Sequence, residues 1–263
     1  MSTLWATTFS ADLWETSGRF LVESFIATQT PGTLVAYVEG MNLPVQHPNI
    51  VVHRVDDDPV LQKFLVDNRD IIPASLGGLV AEPECRCPGG PLDVHSNKHR
   101  LPCVGYWFCK NASRWMRKPL AAKMAIDTYG DKFRTMMWVD SDATFLKMVP
   151  AAVVESWFQG KYGCIYLKHK RTAIETGVFG YHLGLGGARI AAAVLDRYTS
   201  GAFRQDKRWD DCVQMEQGIN SVRVKALDVA TGTGPNNTVI QFSPLALYLG
   251  HAKGSHRRAG KLT

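Results

Sequence analysis

The sequence lacks a long apolar run and a leader-like N-terminus. No stretch of its 263 residues reaches the roughly 18–20 uninterrupted apolar residues that a membrane-spanning helix needs. The N-terminal segment MSTLWATTFSADLWE has no basic region and already carries Asp12 and Glu15, which is unlike a secretory signal peptide. We therefore expect no membrane span and a cytoplasmic location.

Cysteine is sparse, and the phosphate-binding loop of P-loop nucleotide hydrolases is missing. Six Cys in a chain of this length do not indicate a disulfide framework. The glycine-rich GTGPNNT segment lacks the Gly-Lys-Ser/Thr ending which that loop requires. Because the chain also has no internal repeat and no clear linker, we expect a single domain over residues 1–263.

Short apolar runs alternate with amphipathic segments along most of the chain. Strands are predicted at Leu4–Phe9, Thr33–Gly40, Asn49–Val55 and Thr135–Val139, with helices between them, among which are segments near Glu15–Thr28 and Pro119–Thr128. Continuous apolar strands that alternate with helices are typical of a mostly parallel sheet covered on both faces. The predicted fold class is therefore α/β, with a central sheet flanked by helices.

The net charge of +6 comes from two local stretches. Residues 82–118 carry 7 basic and 3 acidic groups, and the tail at 251–263 carries 4 basic and no acidic groups. Local patches of this kind favour a compact anionic ligand over a long nucleic acid.

Two carboxylates follow the predicted strand Thr135–Val139, in the segment Trp138-Val139-Asp140-Ser141-Asp142. Ligands of open α/β sheets collect at the carboxyl ends of strands. Close carboxylates repel each other unless a cation joins them, and their hard oxygen atoms suit Mg²⁺ or Mn²⁺. A D-x-D pattern also occurs as an ordinary turn after a strand, so the motif alone leaves both interpretations open.

Three further segments carry side chains for which a chemical role and a purely structural role are both possible. The tail from His251 to Arg258 offers a nitrogen ligand and phosphate-binding cations, or is a basic C-terminal extension. In the segment Trp209-Asp210-Asp211, an acidic residue is a general base or a helix N-cap. Glu175 contacts a sugar or is a solvated loop residue.

A Cys- and His-containing loop lies between residues 83 and 109. Its spacing fits none of the usual zinc patterns, so a zinc site is the minor interpretation and loop or core cysteines the major one. The residues concerned are Cys85, Cys87, His95, His99, Cys103 and Cys109.

Taken in order, these motifs resemble GT-A-fold glycosyltransferases, and most closely the small enzymes of large DNA viruses (chlorovirus type), phages and bacteria. The resemblance spans nearly the whole chain, and the order of the motifs is more specific than any one of them. The loop after Pro83 departs from the pattern. The matching segments are Val38-Glu39, Lys118–Ala121, Trp138–Asp142, Glu175–Tyr181, Tyr198–Phe203 and His251–Arg257. A further segment, Trp209–Val213, matches only in part, because it has one residue fewer before Val213 than the family pattern.

The resemblance implies a GT-A fold with a nucleotide-sugar-binding half at 1–142 and an acceptor half with the tail at 143–263. It also implies roles for single residues. Asp140, Asp142 and His251 would hold Mn²⁺ or Mg²⁺, and Glu175 would lie near the transferred sugar or the acceptor. Asp211 would be the general base of an inverting reaction, or, in a retaining reaction, would only orient the acceptor. The donor-binding residues would be Thr7, Thr8, Phe9, Glu39, Lys118, Asp140, Ser141, Lys253, Gly254 and Arg257.

The predicted activity is transfer of a hexose or pentose from a nucleotide-diphosphate sugar, with UDP favoured and GDP as the alternative. The acceptor would be a hydroxyl of a glycan, glycoprotein or glycolipid, in the host cytoplasm for a viral enzyme. No nucleic acid partner is expected. Two other functions stay open on the sequence: a zinc- and nucleic-acid-binding protein that uses the loop and the tail, and a nucleotidyltransferase that uses the two Asp residues.

Overall fold

The computed structural model describes residues 2–70, 110–168, 174–232 and 239–251. Its centre is a seven-stranded sheet with the strand order β3-β2-β1-β4-β7-β6-β8. A two-stranded ribbon, β5–β9, lies apart from this sheet. The strands are β1 (Thr3–Ser10), β2 (Gly32–Glu39), β3 (Ile50–Arg54), β4 (Thr135–Val139), β5 (Ala143–Phe145), β6 (Cys164–Lys168), β7 (Ile174–His182), β8 (Ala226–Asp228) and β9 (Leu249–His251).

The predicted mostly parallel sheet is confirmed, with one strand reversed. The pairs β1–β2, β2–β3, β1–β4 and β6–β8 are parallel, whereas β7 runs antiparallel to both β4 and β6. We call the end at which β1, β2 and β4 finish the carboxyl end of the sheet. Because β7 is reversed, it begins at that end, and Thr176 near its start lies beside the residues that follow β4.

Helices cover both faces of the sheet. One buried cluster joins Leu4, Met136 and Trp138 to helices on one face, and a second joins Trp5, Met137 and Val139 to helices on the other. This is the alternation that a strand buried on both sides requires. The helices are α1 (Ala11–Leu13), α2 (Arg19–Ala27), α3 (Pro59–Asp67), α4 (Ala112–Tyr129), α5 (Ala151–Trp157), α6 (Gly187–Thr199) and α7 (Asp211–Ser221), with a π-helical turn at Trp14–Gly18 between α1 and α2.

The prediction that a helix begins at Pro119 is wrong. Helix α4 begins at Ala112, where the side chain of Asn111 accepts a hydrogen bond from the backbone N–H of Arg114, and Pro119 lies buried inside the helix. Proline lacks the N–H that would bond to the preceding turn, so it usually marks a helix start. Here the buried apolar face of α4, which packs in the main core, outweighs the missing bond.

The ribbon β5–β9 connects two distant parts of the sequence. Its register places Ala143, the residue after Asp142, opposite His251. Leu245 and Leu249, which precede His251, are buried in the core and fix this segment against the sheet.

Within the residues that the structure describes, no helix has the length and apolar character that crossing a membrane requires.

Candidate active site

Asp140 and Asp142 lie at the carboxyl end of the sheet, directly after β4. The backbone N–H of Asp140 donates to the carbonyl of Gly177 (2.8 Å), and the N–H of Ala143 donates back to the carbonyl of Asp140 (2.9 Å). The second bond closes a tight turn and the first ties this turn to β7, so the backbone between the two carboxylates is fixed. The Asp142 side chain is only 3% exposed, whereas that of Asp140 is 25% exposed.

His251 reaches this turn through the ribbon. Its Nε2 lies 3.0 Å from Oδ1 of Asp142, and the ring is buried. One ligand atom from each of Asp140, Asp142 and His251 lies within 4.8 Å of the others. The structure therefore brings together the three residues that the resemblance implied as metal ligands, although 109 positions separate Asp142 from His251.

Gly177 in β7 makes room for the imidazole of His251. A Cβ atom at Gly177 would lie 2.2 Å from Cε1 of that ring and 2.8 Å from each of its nitrogen atoms. Contacts below 3.0 Å essentially never occur for a real Cβ. A residue without a side chain is thus required at this position for His251 to occupy its place.

Trp138 fixes the orientation of the Asp140 carboxylate. Its indole Nε1 donates to Oδ1 of Asp140 (2.7 Å), and the indole ring is fully buried and stacked on Phe179. Burial raises the pKa of Asp140, and although Lys118 opposes this effect, the neighbouring Asp142 adds to it, so the pKa lies above its ordinary value. This is the electrostatic strain that a bound cation relieves.

Lys118 of helix α4 lies between two carboxylates. Its Nζ is 2.8 Å from Oδ1 of Asp140 and 2.6 Å from Oδ2 of Asp211, and it also donates to the carbonyl (3.0 Å) and hydroxyl (3.1 Å) oxygens of Thr176. Burial alone would lower the pKa of Lys118. The two carboxylates outweigh burial and raise the pKa above its ordinary value, so the ammonium form is held.

Asp211 is the first residue of helix α7, and it is not the N-cap. Asp210 takes that position, since its side chain accepts a hydrogen bond from the N–H of Val213 (3.2 Å). Asp211 is therefore available for another role. Asp211 is 3% exposed. Its carboxylate accepts a hydrogen bond from the hydroxyl of Thr176 (2.8 Å) and forms an ion pair with Lys118.

Glu175 lies at the start of β7 and is partly exposed. Its Oε1 accepts a hydrogen bond from the N–H of Gly177 (3.1 Å), so the carboxylate curls toward the turn that carries Asp140. Among the acidic residues of this cluster, Glu175 and Asp140 are the more accessible, whereas Asp142 and Asp211 are buried.

The predicted nucleoside-binding residues lie on the neighbouring strands. Thr7 and Phe9 are buried in β1, where Phe9 stacks on Trp14 (5.7 Å between ring centroids). The hydroxyl of Thr8 donates to the carbonyl of Tyr37 (2.8 Å). These contacts place the three residues in the scaffold under the carboxyl end of the sheet.

Glu39 and Ser141 also have partners within the chain. Glu39 ends β2 and accepts two hydrogen bonds from the guanidinium of Arg117, at 2.7 Å and 2.5 Å. The hydroxyl of Ser141 lies 3.4 Å from that of Ser17 in the π-helical turn. The predictions for Lys253, Gly254 and Arg257, and those for the Cys/His loop, lie outside the described residues.

Three residues of the cluster, Trp138, Thr176 and Gly177, lie in the segments matched by the resemblance but were given no role from the sequence. The proximity of Trp138 to Asp140 in the chain was a usable signal, because a tryptophan N–H reaches a carboxylate two residues away. Nothing in the sequence indicates that Thr176 meets Asp211 or that Gly177 meets His251, since these contacts depend on the antiparallel placement of β7.

No protein-family model matches the chain, and a search of curated proteins finds no match. Among solved structures, the chain is similar to the crystal structure of a glycosyltransferase involved in the glycosylation of the major capsid of PBCV-1. The match has a TM-score of 0.50 and 10% sequence identity, and it covers 99% of this chain and 100% of the other. At this identity the likeness concerns the fold. It confirms the predicted GT-A fold. It also confirms the predicted resemblance to viral glycosyltransferases as a resemblance of the fold.

Proposed function

We propose that this protein is a metal-dependent glycosyltransferase. It would move a sugar from a nucleotide-diphosphate sugar, with UDP favoured and GDP as the alternative, to a glycan hydroxyl. The observation that carries the proposal is the meeting of Asp140, Asp142 and His251 at the carboxyl end of a GT-A sheet. That is the end at which open α/β sheets bind their ligands.

The three proposed ligand residues, Asp140, Asp142 and His251, suit Mn²⁺ or Mg²⁺. Two carboxylates and one imidazole provide hard oxygen ligands and one nitrogen ligand, a combination that Mn²⁺ accepts readily. Gly177 has no side chain that would displace the imidazole of His251, so this ring can lie beside the two carboxylates, which supports a metal site here. Once bound, such an ion would neutralise the diphosphate leaving group.

The acceptor side of the site would be formed by Glu175 and Asp211. A general base must come within hydrogen-bond reach of the proton that it removes. Asp211 is buried and already engaged by Lys118 and Thr176, so its surroundings support a positioning role. Glu175 is partly exposed, and we propose it as the residue that receives the proton of the acceptor hydroxyl.

The other assignments remain part of the proposal. Residues 1–142 would bind the donor and 143–263 the acceptor, with Lys253, Gly254 and Arg257 on the phosphates. Thr7, Thr8, Phe9, Glu39 and Ser141 would support the nucleoside end of the donor. The acceptor would be a glycan, glycoprotein or glycolipid, and the protein would work in the cytoplasm.

The first prediction concerns nucleotide binding. We expect one nucleotide among UDP, GDP, CMP and dTDP to raise the thermal stability of the full chain, and to do so only with Mn²⁺ present. A ligand that binds the folded state alone adds about 2.7 kcal/mol at a hundredfold excess over its dissociation constant. Thermal-shift titrations measure this effect. If none of the four nucleotides stabilises the protein with or without Mn²⁺, the proposed function is wrong.

The second prediction separates the two acceptor-side carboxylates. Glu175→Gln is expected to lower kcat by about 10²- to 10⁴-fold, the range for loss of a general base, with little change in thermal stability. Asp211→Asn is expected to lower both turnover and stability, because Lys118 and Thr176 lose a charged buried partner. The opposite pattern, in which Glu175→Gln retains turnover and Asp211→Asn loses it at unchanged stability, would return the base to Asp211.

A further inference from the structure

One ammonium group connects the two halves of the proposed site. Lys118 Nζ contacts Asp140, which would bind the metal, and Asp211, which lies on the acceptor side. A lysine ammonium has three N–H donors. With both carboxylates and the two oxygens of Thr176 within 3.1 Å of Nζ, these donors are occupied by the protein itself. Lys118 therefore acts on the site through its contacts with Asp140, Asp211 and Thr176.

The balance of charge around Lys118 changes when a divalent cation is bound. Lys118 faces the two carboxylates of Asp140 and Asp211, so this group of three carries a net charge of −1. A cation at Asp140, Asp142 and His251 competes with Lys118 for the same Asp140 carboxylate. Because the Lys118 side chain is only 11% exposed, water screens this competition weakly.

We propose that Lys118 is an internal counter-cation that a divalent metal ion partly displaces from Asp140, which leaves Asp211 as its main carboxylate partner. Lys118 would thus be a positioning residue that couples metal binding on the donor side to the placement of Asp211 on the acceptor side. This inference rests on the proposed function, since it takes Asp140 as a metal ligand.

The contacts around Lys118 permit such a transfer without a rearrangement of the backbone. Asp140 keeps its orientation through the indole N–H of Trp138, which donates to its Oδ1 (2.7 Å) independently of Lys118. The carbonyl of Thr176 still accepts from Lys118, and the hydroxyl of Thr176 still donates to Asp211. Asp140 and Asp211 therefore each keep another hydrogen bond while the Lys118 ammonium moves away from Asp140 toward Asp211.

The third prediction follows from this competition. Lys118→Met is expected to bind Mn²⁺ more tightly than the wild type, by about fivefold or more, the lower end of ordinary coupling between sites. Sugar transfer by the same variant is expected to fall by about 10- to 100-fold, the usual cost of removing a positioning partner. Isothermal titration with Mn²⁺ on the full chain measures the first effect, and a transfer assay at saturating donor measures the second. A purely structural role for Lys118 would weaken both.

Lys123→Met is the matched control. Lys123 lies on the same helix α4, pairs with Asp127 at the surface, and contacts none of the site residues in the described part of the chain. We expect its Mn²⁺ affinity and its transfer rate to equal those of the wild type.

A second variant keeps the inference testable if Lys118→Met does not fold. In Asp211→Asn, Lys118 is left to Asp140 alone, so Mn²⁺ affinity is expected to fall by about fivefold or more. Where Lys118→Met does fold, the loss caused by Asp211→Asn should shrink by about threefold or more in the Lys118→Met background, since coupled residues are not additive. An equal loss in both backgrounds would mean that Asp211 acts only through its long-range field, and the inference would be wrong.

The outcomes separate this inference from the proposed function. If the wild type does not bind Mn²⁺, the proposed function fails. If the wild type binds Mn²⁺ together with a nucleotide, but Lys118→Met binds it equally well or less well, only the coupling role of Lys118 fails.

Discussion

Gly177→Ala is expected to abolish Mn²⁺-dependent nucleotide binding while the protein stays folded. The added methyl group would lie 2.2 Å from Cε1 of His251, which is closer than any real contact. The three nearest atoms all belong to the imidazole ring, so the ring is what must move. Overpacking of this kind costs about 1–3 kcal/mol, less than the stability of an ordinary domain.

The imidazole of His251 has no easy way to accommodate the methyl group. Its backbone is held in β9, opposite Ala143, and the strand that carries Gly177 is held by the hydrogen bond from the N–H of Asp140 to the carbonyl of Gly177. We therefore expect the ring to leave the position near Asp142. Thermal shift with nucleotide and Mn²⁺, compared with nucleotide alone, measures the loss.

Two variants test whether the displaced ring is the cause. Gly184→Ala, just beyond the other end of β7, adds a methyl group that meets its nearest neighbour at an ordinary 3.4 Å, and it should behave as the wild type. In a His251→Ala background, Gly177→Ala should no longer cost stability, because the clashing ring is gone. If Gly177→Ala itself binds Mn²⁺ and nucleotide normally, His251 is not needed at the place where the structure puts it.

The fold was predictable from the sequence because its signals are local. The runs at Leu4–Phe9 and Thr135–Val139 are continuous apolar segments, and both form strands within two residues of the predicted bounds. The start of helix α3 is marked by a local signal, since Asp58 caps it and Pro59 follows. The start of α4 was not, because there the packing of a long apolar face outweighs the local preference of Pro119.

The candidate site was predictable only in part. Asp140 and Asp142 could be found because both follow one strand within three residues. His251 was assigned to the same site through the resemblance to glycosyltransferases, and not from the local sequence. The ion pairs of Lys118 with Asp140 and Asp211 could not be predicted, because they join a helix, a strand end and a second helix whose relative positions depend on the reversed strand β7.

Trp138, Asp140 and Asp142 show why this sequence segment serves both the fold and the site. The indole of Trp138 fills the core and at the same time directs the carboxylate of Asp140, so one buried residue joins the packing of β4 to the chemistry at its end. The charge of Asp142 raises the pKa of Asp140, so the two carboxylates oppose each other's ionisation when no metal ion joins them. Sites that are strained in this way are commonly where function, and not stability, determines the residue.

Asp142→Asn is expected to remove Mn²⁺ binding with no loss of stability in the metal-free protein. Asn keeps the size of the side chain, so the buried position stays filled, while the repulsion between Asp142 and Asp140 disappears. Loss of an outer-shell partner already costs 10- to 100-fold in metal affinity or activity, so loss of a ligand should lower sugar transfer by more than about 10²-fold.

Thermal unfolding without metal, Mn²⁺ titration and the transfer assay together check this expectation for Asp142→Asn. Asp131→Asn, at the exposed turn before the other end of β4, is the matched control and should equal the wild type in all three measurements. An Asp142→Asn protein that still gains stability from nucleotide only when Mn²⁺ is present would place the metal on other residues. A variant that instead loses stability before any metal is added would mean that Asp142 supports the fold through its contact with His251, and that the two carboxylates do not oppose folding.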